Sequence, residues 1–136
     1  MILHVIYDTN VIVSATLKPG SIPASLVALV MQGTVRLLLS PEILEEYREV
    51  LKRPKFGFEA STVDAFVDEL EKNGTVVYPS KRVSLALDEP DNRMLEASLE
   101  AKAHYIVTGN KKHFPFPEFE GAKVVSPAEF AAILFE

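Results

Sequence analysis

The feature that most constrains this chain is its opening apolar run. Ile2 to Tyr7 is built of strand-forming residues, broken only by His4, and it stops abruptly at Asp8-Thr9-Asn10. A strand without polar alternation has no solvated face, so it belongs in the middle of a parallel sheet covered on both sides. The carboxylate that follows then lies at the carboxyl end of that strand, the edge where open α/β sheets bind ligands. Taken alone, Asp8 reads better as a turn-capping aspartate. Its meaning depends on which other acids reach the same edge.

The pattern continues in alternation. A short apolar continuation leads to the loop Lys18-Pro19-Gly20-Ser21, and Pro23 suits the first turn of a helix whose inner face is Leu26, Val27, Val30 and Met31. Val35 to Leu39 reads as a second strand. Ser40-Pro41-Glu42 opens a helix that runs to about Lys52, with Ile43, Leu44, Tyr47, Val50 and Leu51 in one apolar stripe. Glu42, Glu45 and Glu49 point away from that stripe; Glu46 lies at its margin, placed to lean over the sheet. Ser61 with Asp64 resembles a capping box for a helix through Asn73. Thr75 to Tyr78 is expected to be a short strand, and Pro79 to Asp88 a connection. Asp88 to Asn92 opens the next helix, with Asp91 on its core side. His104 to Val107 reads as a fourth strand, followed by Thr108-Gly109-Asn110 and the basic segment Lys111-Lys112-His113. Val124-Val125 is a last strand, and Ser126-Pro127 starts a terminal helix.

Strand following helix throughout predicts an α/β fold with a parallel sheet. The 136 residues suit one domain over 1–136, with no repeat or linker. No apolar run reaches the ~18 residues of a membrane helix, and the start carries no basic segment or cleavage site, so neither membrane nor secretory leader is expected. The absence of cysteine excludes disulfides and thiolate metal sites and is compatible with a cytoplasmic location. A net charge of −5 argues mildly against a general nucleic-acid binder, while leaving room for a local basic patch or a metal held by acids.

Three acids reach one sheet edge: Asp8, Glu46 and Asp91. Converging carboxylates repel and raise one another's pKa unless a cation neutralises them. Mg²⁺ or Mn²⁺ suits such oxygen donors and would serve a phosphate-bearing substrate.

Four pieces in order carry a family resemblance: the strand ending in Asp8-Thr9-Asn10, the segment Ser40 to Tyr47, the segment Asp88 to Asn92 before a helix, and the strand ending in Thr108-Gly109-Asn110. Together the chain resembles a PIN-domain protein, the ribonuclease family that supplies many prokaryotic toxins of toxin–antitoxin pairs. The resemblance implies a three-layer α/β/α sandwich with strand order 3-2-1-4-5, and metal-dependent hydrolysis of RNA phosphodiesters. It assigns Asp8, Glu46 and Asp91 as acidic ligands, with Asn10, Ser40 and Thr108 as supporting polar positions. It also implies a small antitoxin partner and a homodimer. Asn110 departs from it, a neutral amide where the family often has a fourth acid; Asp88 is nearby but better suited to capping.

Arg48, Lys52, Arg53 and Lys55 near one helix end, with Lys111 and Lys112 after the fourth strand, are candidate RNA phosphate contacts. They read equally as helix-end cations and a solvated loop. His113 reads as structural rather than as a general base. Two alternatives stand beside the nuclease. One is a PIN-like binding module for RNA or protein with weakened catalysis, motivated by Asn110. The other is a receiver-type signalling domain, which would need paired acids after its first strand, an Asp after its third and a Lys after its fifth. None of those is present.

Overall fold

The structure is a computed structural model that describes residues 1–86 and 88–135. Leu87, within the expected connection, lies outside the described residues.

The opening run forms β1 (Leu3–Tyr7), and Val5, Ile6 and Tyr7 are wholly buried. Successive strand residues point to opposite faces, so burial of all three means that both faces are covered. The same holds for β2 (Val35–Leu39), where Leu37, Leu38 and Leu39 are buried in succession. The remaining strands are β3 (Thr75–Val76), β4 (Tyr105–Val107), β5 (Glu118–Phe119) and β6 (Ala122–Val125). The sheet order is β3-β2-β1-β4-β6-β5, parallel except for the final β5/β6 pair. The five parallel strands keep the expected order, with β6 as the predicted fifth. The addition is β5, which joins β6 through Glu120 and Gly121, both at positive φ. That is the backbone a two-residue hairpin requires, and a two-residue strand carries no readable periodicity.

The helices are α1 (Thr9–Leu17), α2 (Ile22–Met31), α3 (Pro41–Leu51), α4 (Ala60–Asn73), α5 (Glu89–Ala101) and α6 (Pro127–Leu134). The apolar continuation after Asn10 is therefore a helix. Its sequence has no clear polar face to betray a helical period, because α1 packs against both α2 and α3. Ser21, Ser40 and Ser126 each cap a helix through the hydroxyl, and Ser126 with Glu129 forms a full capping box. The box expected from Ser61 and Asp64 does not form. Helix α4 begins at Ala60 after Glu59, and Asp64 is drawn instead to Arg48 and Lys52 of the neighbouring α3 segment.

At Gly74 the end of α4 meets β2 so closely that a Cβ would lie 2.8 Å from the Leu37 carbonyl oxygen and 2.9 Å from that of Leu70. Glycine is therefore required there by contact. The connection after β3 is pinned by Glu96 of α5. Its buried carboxylate accepts from the Val83 amide at 2.8 Å and pairs with Arg93 and Arg82. One continuous core extends from Val5 to Phe130.

Candidate metal centre

Asp8 is the N-cap of α1, placed by the end of β1. Its amide donates to the Val107 carbonyl at 2.9 Å, which extends the β1/β4 ladder by one rung. Its carboxylate is 2% exposed and densely engaged. Oδ1 accepts from the Thr9 amide at 2.8 Å. Oδ2 accepts from the Thr108 hydroxyl at 2.7 Å and the Asn10 amide at 3.2 Å, and lies 2.8 Å from His113 Nδ1. Asn10 in turn accepts from the Gly109 amide at 2.9 Å. A Cβ at position 109 would lie 3.2 Å from that Asn10 oxygen, so glycine lets the two strand ends close on one another. The predicted polar residues Asn10 and Thr108 thus hold Asp8 directly. Ser40 acts one step removed: its buried hydroxyl accepts from the Ile43 amide and starts α3.

Asp91, in the first turn of α5, is equally buried but unsatisfied. Among the described residues its Oδ2 has no hydrogen-bond partner, and it lies 3.7 Å from His113 Nδ1, within ion-pair range. Burial, then the charge of Asp8, pushes its pKa up to about 7; His113 opposes the rise, and Asp88 and Glu46 add to it. Free helix N–H groups and the macrodipole explain an acid in a first turn, but not one left without a partner.

Glu46 is half-buried on α3 and lines the same crevice of about 490 Å³ with Asp8, Asp91, Asp88, Arg53 and His113. Its pKa is raised by burial first, then by Glu49 and Asp8, with Arg53 opposing. Helix α3 is fixed to β1 by Tyr47, whose buried hydroxyl donates to the Tyr7 carbonyl. Asp88 is the N-cap of α5 by backbone alone; its side chain makes no capping hydrogen bond.

The basic residues divide. Arg48 is paired with Asp64 at 2.9 Å and Asp68 at 2.7 Å, and Lys52 with Asp64 at 2.9 Å. These pairs tie α3 to α4. Lys55 lies over the Phe56 ring, and Lys111 pairs with Glu129. Arg53 pairs with the exposed Glu49 and lines the crevice. Lys112 is exposed and makes no salt bridge among the described residues.

His113 is the functional-site residue that sequence reasoning set aside. Its ring nitrogen, an Asp8 oxygen and an Asp91 oxygen all lie within 4.8 Å of one another. Burial lowers its pKa, but the hydrogen bond to Asp8 and the charges of Asp8 and Asp91 outweigh that and raise it. The signal lay in Asn110. Its side-chain oxygen accepts from the Lys112 amide and caps a 3₁₀ turn over Lys111–His113. Residues three apart eclipse in such a turn, so the amide that replaces an acid begins the turn that delivers His113.

The donors fit a divalent cation. Two buried carboxylates and an imidazole converge, one carboxylate oxygen lacks a hydrogen-bond partner among the described residues, and no thiolate competes. Comparison with known proteins agrees. A family model described as PIN domain matches residues 4–112. The chain belongs to the PIN-domain family. That family generally comprises metal-dependent nucleases, and the matched span contains Asp8, Glu46, Asp91, Thr108 and Asn110. An uncharacterized protein of Methanocaldococcus jannaschii is 28% identical over 113 residues, covering 80% of this chain and 72% of its own length.

Proposed function

We propose that this PIN domain is a divalent-metal-dependent endoribonuclease that uses Mg²⁺ or Mn²⁺. The observation that carries the reading is the buried Asp91 oxygen, without a hydrogen-bond partner among the described residues and within 4.8 Å of an Asp8 oxygen, a pair of carboxylates arranged for a cation. A bound divalent ion supplies activation of water and stabilisation of charge on phosphoryl oxygens. Asp8 and Asp91 would hold it, with Glu46 completing the set from α3. Asn10 and Thr108 keep Asp8 in one orientation by donating to Oδ2. Arg53, at the crevice wall, is positioned for a substrate phosphate, and exposed Lys112 for the adjoining backbone. RNA as the substrate rests on the family resemblance. So do the roles of toxin, small antitoxin partner and homodimer; the cytoplasmic location rests on the cysteine-free sequence. Among the described residues no single helix is long and apolar enough to cross a membrane.

The test is cleavage of a mixed single-stranded RNA by purified protein with Mg²⁺, with Mn²⁺ and with EDTA, alongside Asp8→Asn. Cleavage is expected to need metal and to vanish in the variant. Full cleavage by Asp8→Asn would sink the assigned role. A binding module without catalysis is the second reading, because Asn110 spends its side chain on the Lys112 amide and adds no charge to the crevice. Metal-independent RNA binding without cleavage would favour it.

A further inference from the structure

We infer that His113 is itself a metal ligand: its Nδ1 supplies a nitrogen donor beside Asp8 and Asp91, and this donor tilts the site toward Mn²⁺ over Mg²⁺. The inference rests on the metal-dependent reading above and adds to it a residue outside the acidic set.

The geometry points there in three ways. First, the contacts have ligand spacing. Two donors about 2.1 Å from one ion and at right angles to each other lie about 3.0 Å apart. His113 Nδ1 is 2.8 Å from Asp8 Oδ2 and 3.7 Å from Asp91 Oδ2, on either side of that separation. Second, the Asp91 oxygen on this side is buried and has no hydrogen-bond partner among the described residues. His113 is within ion-pair range of both acids, but it hydrogen-bonds only Asp8 and stands 3.7 Å from the Asp91 oxygen, too far for a hydrogen bond, so that oxygen still has a lone pair for an ion. Third, the ring is held in place. The 3₁₀ turn capped by Asn110 fixes its backbone, and the ring packs edge-on against the wholly buried Phe114. Restricted to few orientations, the imidazole loses little freedom on binding.

The consequence for the ion follows from donor chemistry. Mg²⁺ prefers oxygen ligands and keeps its waters, whereas imidazole suits later divalent metals, whose affinity for nitrogen rises along the first row. With Asn110 adding no carboxylate, a nitrogen donor makes the set one that favours Mn²⁺. Nδ1 gives up its proton when it binds, as imidazole ligands must.

The test needs no substrate. Mn²⁺ bound to the purified protein is examined by pulsed electron paramagnetic resonance for coupling to ¹⁴N, and dissociation constants for Mn²⁺ and Mg²⁺ are measured for the wild type and for His113→Gln. A directly coordinated nitrogen is expected in the wild type and lost in the variant. The variant should bind Mn²⁺ about 10-fold more weakly while Mg²⁺ affinity changes much less. Bound Mn²⁺ with no ¹⁴N coupling in the wild type would overturn the assignment, and that reading stands even if His113→Gln folds poorly. If cleavage still requires metal in that case, the nuclease proposal survives and only the role of His113 falls. No Mn²⁺ binding at millimolar concentration would overturn both.

Discussion

Asp8 and Asp91 share a crevice and differ in how their charge is met. Asp8 accepts four hydrogen bonds or charged contacts from Thr9, Asn10, Thr108 and His113, so an amide in its place would turn a donor toward groups that donate. Asp91 has one oxygen with no hydrogen-bond partner among the described residues and a pKa pushed to about 7. Relief of carboxylate repulsion is therefore better sought at Asp91 than at Asp8. Asp91→Asn should stabilise the metal-free protein at pH 8 by about 1 kcal/mol, or ~3 °C in Tm, while abolishing cleavage. Asp8→Asn should give little or no gain. Thermal melts in EDTA check this, and a lower Tm for Asp91→Asn at pH 8 would contradict it. The acids themselves were legible one by one, Asp8 because it follows a strand, Asp91 because it opens a helix, and Glu46 because it lies at the margin of its helix's apolar stripe. His113 was not: its one signal was the capping Asn110, and the run Lys-Lys-His itself does not say that a short 3₁₀ turn brings the third side chain to Asp8 and Asp91.

At the scale of elements, α3 carries Glu46 and is held at both ends. Its start is the Ser40 cap, its far end is tied to α4 through Arg48, Lys52, Asp64 and Asp68, and its middle is fixed by Tyr47. The Tyr47 phenol is wholly buried, and burial, then the charge of Asp8, keeps it protonated as a donor. Tyr47→Phe leaves the Tyr7 carbonyl without that donor, one residue from Asp8. We expect a loss of about 1–2 kcal/mol in stability and slower cleavage through a displaced Glu46. Chemical denaturation and the cleavage rate test it; unchanged values for both would show that the hydrogen bond does not position the helix. The apolar stripe of α3 was readable from its period, and so was its cap. The α3–α4 pairs were not, because Arg48 and Asp64 meet only once two helices pack side by side. That meeting also explains why no Ser61–Asp64 box forms.

For the whole molecule, pH reports the balance between crevice and surface. Asp91 has a folded pKa raised from the ordinary range to about 7. The metal-free folded state therefore holds a proton that the unfolded chain has lost, and the stability this contributes is present below about pH 4 and lost as pH rises to about 7. Glu129 has the opposite sign: Lys111 and the Ser126 backbone amide lower its pKa to about 2, so its contribution, small for an exposed pair, fades as pH falls from about 4 toward 2. Tm in EDTA should decline from pH 5 to 7.5, and millimolar Mn²⁺ should reverse the decline by taking the place of the proton. A flat profile in EDTA would show that Asp91 is ionised throughout. By itself the sequence determined the parallel α/β architecture, the sheet edge that carries Asp8, Glu46 and Asp91, and most helix starts. Each of these follows from local side-chain period, capping and chain direction. Only the tertiary structure decided which acid is satisfied and which is left bare, which cations are already paired, that β5 closes the sheet as a hairpin, and that His113 enters the site. Those outcomes depend on distances between segments far apart in the chain, such as the hundred residues that separate Asp8 from Thr108, and a linear pattern carries no distances.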